Sequence, residues 1–355
     1  MSQAIMNRAL FCRSCLNQSA GLGKAQTRFF SSSGACSRAW IPSFKPTSSQ
    51  ELDQLLSSFR EHVFIPAFLT PAQRRLVYKE NANPSLDQNP ITITLKGQTE
   101  ESYRLRHLNW RETPGNNVVR GIVGLMKQPD DWFTLVPLLK GLHTSKRTPN
   151  IRLWEFILSK AGEAGMNSVI LDCATQAERT GLSLGDYFLA EQVFKNLHLK
   201  AESLGFQGPE LEKLLRQAKS FAALLETEEH APLKEDASLP ESSKKPDPRR
   251  HPNIISVLLE LNAARALDAF DGKDVQGAVR TYAEILLSNW ELRHPGQKVA
   301  YPKHVVKEVR DLPSMSKGIE LALEVDEIRA NEELHRTLRK RLQELGTPKP
   351  VEAKA

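Results

Sequence analysis

Few side chains in this sequence stand at the spacing a reaction demands. Cys12-Arg13-Ser14-Cys15 has the separation of two zinc ligands, but one such pair supplies only half of a tetrahedral site. Cys36 and Cys173 complete the four cysteines, too few for a disulfide framework and suited to a reduced compartment. Gly21-Leu22-Gly23-Lys24 has the shape of the end of a phosphate-binding loop. Gln18 stands where that loop needs its first Gly, and Ala25 replaces the hydroxyl that would hold a metal ion. No two of the nine His residues flank a Glu at i, i+4, and none is near a cysteine after Cys36. His294 and His304 flank a Pro-containing loop without further ligands, and Ser168 and Ser183 lack an elbow motif around them. The reading is of a protein that is not an enzyme, with no metal site, no cofactor and no small-molecule substrate.

What remains is phosphate recognition, which needs exposed positive charge and little else. Arg74 and Arg75 are adjacent, and Arg104 and Arg106 share one face of an alternating segment. Lys340 and Arg341 close a basic helix end, where cations are also favoured by the helix dipole. These six are the candidate RNA-binding residues. The bulk charge argues for restraint: the net +6 arises at the N-terminus, because residues 1–50 carry six Lys and Arg and no acid. Beyond residue 50 there are 42 basic and 42 acidic side chains (48 less six, against 42). A local phosphate surface is compatible with this balance; a chain threaded through nucleic acid is not.

The N-terminal imbalance has its own explanation. Arg8, Arg13, Lys24 and Arg28 alternate with Met6, Leu10, Phe11, Leu16 and Leu22 among frequent Ser. That is the composition of a mitochondrial transit peptide, in which any acid would oppose import into a negative matrix. Arg28-Phe29-Phe30-Ser31-Ser32 resembles a matrix-peptidase site, so 1–30 is expected to be removed and the protein to work in the mitochondrial matrix. No stretch approaches the roughly 20 apolar residues of a membrane span.

The elements that must position the cations are set by periodicity. Residues 31–49 are Ser- and Pro-rich and read as extended; 50–116 read as an N-terminal α+β module. Leu52, Leu55, Leu56, Phe59 and Val63 predict a helix over 50–63, and Thr70-Pro71 starts a second, short one. Strict alternation in Ile91–Leu95 and Tyr103–Leu108 predicts a hairpin with Arg104 and Arg106 opposite its apolar face. From 117 to 225 short helices alternate with brief turns, which forces antiparallel neighbours. Pro137 either kinks its helix or marks the true start. Glu, Pro, Ser and Lys dominate 226–252, read as a flexible linker. Next comes a C-terminal helical domain, 253–345, with helices over 254–270 and 275–290, an irregular stretch over 294–313, and one long helix over 317–345. Residues 346–355 read as a disordered tail. The fold class is mainly α: stacked antiparallel helical hairpins, helical-repeat-like, with a small N-terminal β-hairpin.

Two resemblances add to this. The segment from Pro149-Asn150-Ile151 through Ala161-Gly162-Glu163-Ala164-Gly165 to Arg179-Thr180-Gly181-Leu182 resembles one pentatricopeptide unit, a family of helical hairpins. It implies helical-hairpin architecture but no nucleotide code, since the family's base-reading Asn and Asp positions do not recur. Val63-Phe64-Ile65-Pro66, Leu69 to Tyr78, Ile91–Leu95 and Tyr103–Leu108 resemble fungal mitochondrial ribosomal proteins, nearest to family fifty of the large-subunit proteins. That resemblance implies a structural constituent on the large subunit's periphery, supporting mitochondrial translation. Its partners would be mitochondrial ribosomal proteins and, through limited contacts, mitochondrial rRNA. The competing reading is a free helical-repeat RNA-binding factor acting on mitochondrial transcripts or translation.

Overall fold

A computed structural model describes residues 41–78, 91–96, 100–232, 245–301 and 304–346. The expected transit peptide, the Cys12–Cys15 pair, Gly21–Lys24, Cys36, residues 233–244 of the expected linker and the tail beyond 346 lie outside them. The chain is mainly helical with two small antiparallel sheets of two strands each. It divides by internal contacts into one unit that ends at Leu182 and another that begins at Ser183.

In the first unit α1 spans Gln50–Phe59 and buries Leu52, Leu56 and Phe59. It does not stop near residue 63: a π-helical turn, Arg60–Phe64, carries it into α2, Ile65–Phe68. Pro66 is tolerated there because it is the second residue of α2. Helix α3, Pro71–Tyr78, starts as its sequence predicts. Thr70 N donates to Gln73 Oε1 (3.0 Å), and Gln73 N donates to Thr70 Oγ1 (3.3 Å), a reciprocal cap.

The hairpin forms, with one correction. Strand β1, Thr92–Lys96, pairs with β2, Glu100–Arg104, in the register Ile93 opposite Tyr103. Pairing ends at Arg104, short of the expected Leu108, because the chain then turns its apolar side chains onto α3. Leu105 is buried with Leu69 and Val77, and Leu108 N donates to Val77 O at 3.0 Å.

Five short helices and a final turn complete the unit: α4 (Asn116–Leu125), α5 (Pro129–Trp132), α6 (Leu135–Thr144), α7 (Ile151–Glu163), α8 (Asn167–Thr175) and α9 (Ala177–Thr180). Pro137 is the third residue of α6, where it has no intrahelical hydrogen bond to lose, so it marks the start rather than a kink. Helices α7 and α8 are the pentatricopeptide-like pair and do pack together, but α8 has only nine residues.

The second unit is built around α12, Pro252–Ala269, whose residues from Pro252 to Ala264 are all buried. Such a helix shows almost no amphipathic pattern because it has no solvent face. Around it pack α10 (Tyr187–Ser203), α11 (Pro209–Leu225), α13 (Ala278–Ser288) and α14 (Pro313–Glu324). The described ends of the 226–252 segment join this unit. His230 Nδ1 accepts from Leu184 N at 2.9 Å, and Lys245 Nζ lies 3.0 Å from Asp186 Oδ2.

Two expectations for the C-terminal third are corrected. Residues 294–313 are not irregular throughout: β3, Lys298–Tyr301, pairs with β4, Val305–Glu308. Tyr301, buried on β3, donates its hydroxyl to Asp186 at 2.8 Å and so fastens the hairpin. The single helix expected over 317–345 is three: α14, α15 (Asp326–Ala330) and α16 (Glu332–Gly346). Val325 adopts an extended ψ of 135°, Asp326 N donates to Gly272 O, and Asn331 Oδ1 accepts from Leu334 N to start α16. These breaks turn the chain back so that α16 packs on α14.

Candidate nucleic-acid interface

Arg74 and Arg75, adjacent in sequence, do different work. Arg74 Nε donates to Pro66 O at 3.2 Å, and its Nη2 reaches Ala67 O (3.3 Å) and Leu69 O (3.4 Å). It therefore satisfies carbonyls that the end of α2 leaves open, a structural use of charge. Arg75 is exposed on α3.

Arg104 and Arg106 are both exposed, while Tyr103 is half-buried and Leu105 is only 2% exposed. The twofold alternation of an extended chain thus holds through residue 106 even though sheet pairing stops at 104. Apolar side chains clamp the segment to α3, and the two arginines stand on its other side. Just beyond them lies a turn that the alternation pattern does not reveal. Asn109 accepts from Arg111 N at 3.0 Å and donates to Glu112 Oε1 at 3.1 Å, closing a 3-10 turn over Trp110–Glu112. On this turn Trp110 is 65% exposed, with the Arg111 guanidinium 5.5 Å from its ring. An exposed indole backed by a cation suits stacking on an unpaired base. Its sequence signal is the Asn-Trp-Arg run just past the alternating segment, which sequence reasoning missed.

At the far end of the chain, Lys340 is exposed on α16 but Arg341 is not available in the same way. Its Nη1 lies 2.9 Å from Glu344 Oε2, its Nη2 lies 3.2 Å from Glu291 Oε1, and its guanidinium covers the buried Trp290 ring at 5.3 Å. The six candidates therefore separate into exposed cations (Arg75, Arg104, Arg106, Lys340) and cations engaged within the fold (Arg74, Arg341).

The remaining chemistry-bearing side chains are mostly engaged within the fold. Burial pushes the Cys173 thiol up to about 12, with nearby Asp172 adding to the effect, so it is not a nucleophile at neutral pH. Ser183 Oγ donates to Glu229 O at 3.0 Å, whereas Ser168 is exposed. Among the described residues no group of three or more His, Cys, Asp or Glu could hold a metal ion, and no helix is long and apolar enough to cross a membrane. A buried acid, Glu191, accepts from the Tyr187 hydroxyl and from Asn253 Nδ2 (2.7 Å), while Asn253 also donates to Arg310 O and accepts from Leu312 N. Burial raises the Glu191 carboxyl, and the network ties the start of α12 to the segment before α14.

A mainly helical scaffold with separate exposed cations defines a non-catalytic assembly protein. The chain belongs to the mitochondrial ribosomal protein mS27 family, whose model, described as "Mitochondrial ribosomal protein mS27" (Mrp13), matches residues 28–348. It is 28% identical over 261 residues to the "Small ribosomal subunit protein mS27" of Neurospora crassa, covering 70% of this chain. The match spans 65% of that relative's length, a little under two thirds. The ribosomal expectation is thereby met in its class and corrected in its detail. The large-subunit placement and the resemblance to family fifty are not supported, because the matching family is mS27 and its Neurospora member is named for the small subunit. The free helical-repeat factor is not favoured by these matches.

Proposed function

We propose that this protein is a structural constituent of the mitochondrial small ribosomal subunit, working in the matrix and supporting mitochondrial translation without catalysis. The family match over residues 28–348, with a relative named for that subunit, carries this reading. The charge balance after residue 50 favours attachment mainly through neighbouring ribosomal proteins, with limited rRNA contacts. Arg75, Arg104 and Arg106 supply phosphate contacts in the first unit, with Trp110 and Arg111 beside them; Arg74 serves the fold. Sedimentation of mitochondrial lysate tests the assignment. The protein is expected to peak with small-subunit rRNA at one copy per subunit. A peak with the large subunit, or a sub-stoichiometric and mostly free distribution, would overturn it.

A further inference from the structure

Helix α16 has two faces of opposite character. Leu334 and Leu338 are buried, and the other side carries Arg336, Arg339 and Lys340, all exposed. Positions i, i+3 and i+4 are neighbours on a helix surface, with Cβ atoms about 5–6 Å apart. Among the described residues none of these three cations has a carboxylate within 4 Å. That is unusual for this unit, where Arg265, Arg280, Arg293, Arg329 and Arg341 each hold an acid within that distance. Glu344, the next acid along the helix, is taken by Arg341 and by Trp290 Nε1 at 3.2 Å. The fold thus uses Arg341 to draw acids inward and leaves the outer stripe uncompensated. Gln343 continues the stripe, which holds no aromatic side chain. Such a face neutralises phosphates and has nothing to stack on bases.

We propose that the Arg336–Arg339–Lys340 face of α16 docks on the sugar–phosphate backbone of a double-helical rRNA segment. The inference rests on the small-subunit reading above. It adds a second RNA contact, in the other unit of the chain, made by residues of which only Lys340 was a sequence candidate. Long side chains one turn apart reach successive phosphates of one strand, so recognition is of backbone position and not of base identity.

The test uses the full-length protein in assembled subunits, with Arg336→Gln, Arg339→Gln and Lys340→Gln combined. The charge-keeping set Arg336→Lys, Arg339→Lys and Lys340→Arg serves as its partner. Release from the subunit is followed in rising KCl. The neutral set is expected to leave at lower salt, with a slope flatter by about 2–3 log units per log unit of salt, from about 0.9 per phosphate contact. Photocrosslinks from the α16 peptide to rRNA should be lost, while the charge-keeping set behaves as wild type. Wild-type slope and crosslinks in the neutral set would overturn the proposal. So would crosslinks from α16 to an acidic protein instead of RNA, or equal loss in both sets. Failure of the wild-type protein to sediment with the small subunit would instead overturn the proposed function, so the two failures are distinguishable. Circular dichroism matched to wild type verifies that the variants fold.

Discussion

His198 Nδ1 lies 2.9 Å from Glu260 Oε1 in the interior of the second unit, with side chains 3% and 0% exposed. One proton sits between them, and the contact joins α10 to the central α12 across 62 residues of sequence. Burial pushes the Glu260 carboxyl up, opposed by the hydrogen bond and charge of His198. Removing one partner leaves a buried polar group unmatched, so His198→Ala is expected to cost about 3–5 kcal/mol of stability. His198→Leu with Glu260→Leu should cost less than the sum of the two single changes. Urea unfolding of the four proteins in a double-mutant cycle checks this; strict additivity would show that the pair is not coupled.

The same stretch of α12 receives α14 at Gly318. A Cβ placed there would lie 2.8 Å from Ser256 O and 3.3 Å from Glu260 Cβ. Gly318→Ala must push the two helices apart, an overpacking cost of about 1–3 kcal/mol. Gly121, exposed on α4 with nothing within 4 Å, is the control, and Gly121→Ala is expected to gain up to about 1 kcal/mol. Thermal melts that rank the two variants in the opposite order would refute the close approach.

His251 confers a pH dependence. It caps α12 by accepting from Asn253 N and is 1% exposed. Burial holds its imidazole down to about 3; the Arg293 backbone hydrogen bond opposes this, and nearby His294 adds a smaller push downward. The unfolded chain binds a proton near pH 6.5 that the native state refuses. The stability His251 contributes is therefore present above about pH 6.5 and lost as pH falls toward 3, at up to about 1.4 kcal/mol per pH unit. His251→Asn keeps a capping oxygen and cannot titrate. The difference in stability between wild type and variant should shift in the variant's favour between pH 7.5 and pH 5. A difference independent of pH would show that His251 protonates in the native state.

Asp131 holds the start of the described chain against the first unit. Its carboxylate, 1% exposed, accepts from Ser48 N (2.9 Å), Ser48 Oγ (2.7 Å), Lys127 N (3.2 Å) and Gln128 N (3.0 Å). Burial pushes this carboxyl up, but these donors together hold it below the usual range. Asp131→Asn turns an amide donor toward other donors and should cost about 1–3 kcal/mol. Hydrogen exchange should show faster labelling of the peptide around Ser48, with little change in the second unit. Unaltered protection at Ser48 would mean that other contacts hold the segment.

The sequence by itself determined what local physics controls. Leu52, Leu56 and Phe59 announced α1 by their spacing, Thr70 and Pro71 marked the start of α3, and Tyr103 and Leu105 against Arg104 and Arg106 gave the two sides of one extended segment. Each depends on neighbours within a turn or two of chain. Tertiary structure alone decided where pairing stopped, because Leu105 and Leu108 are claimed by Val77 on α3 instead of by a longer sheet. It decided that 317–345 is three helices, since the bond from Asp326 N to Gly272 O is not visible in a periodic stripe of leucines. It also sorted the cations. Arg74 and Arg75, or Lys340 and Arg341, are alike as residue types, yet one of each pair is spent on carbonyls or carboxylates that arrive from elsewhere in the fold. A charge is available to a ligand only when no nearer partner has taken it, and which partners are near is set by packing between segments distant in sequence.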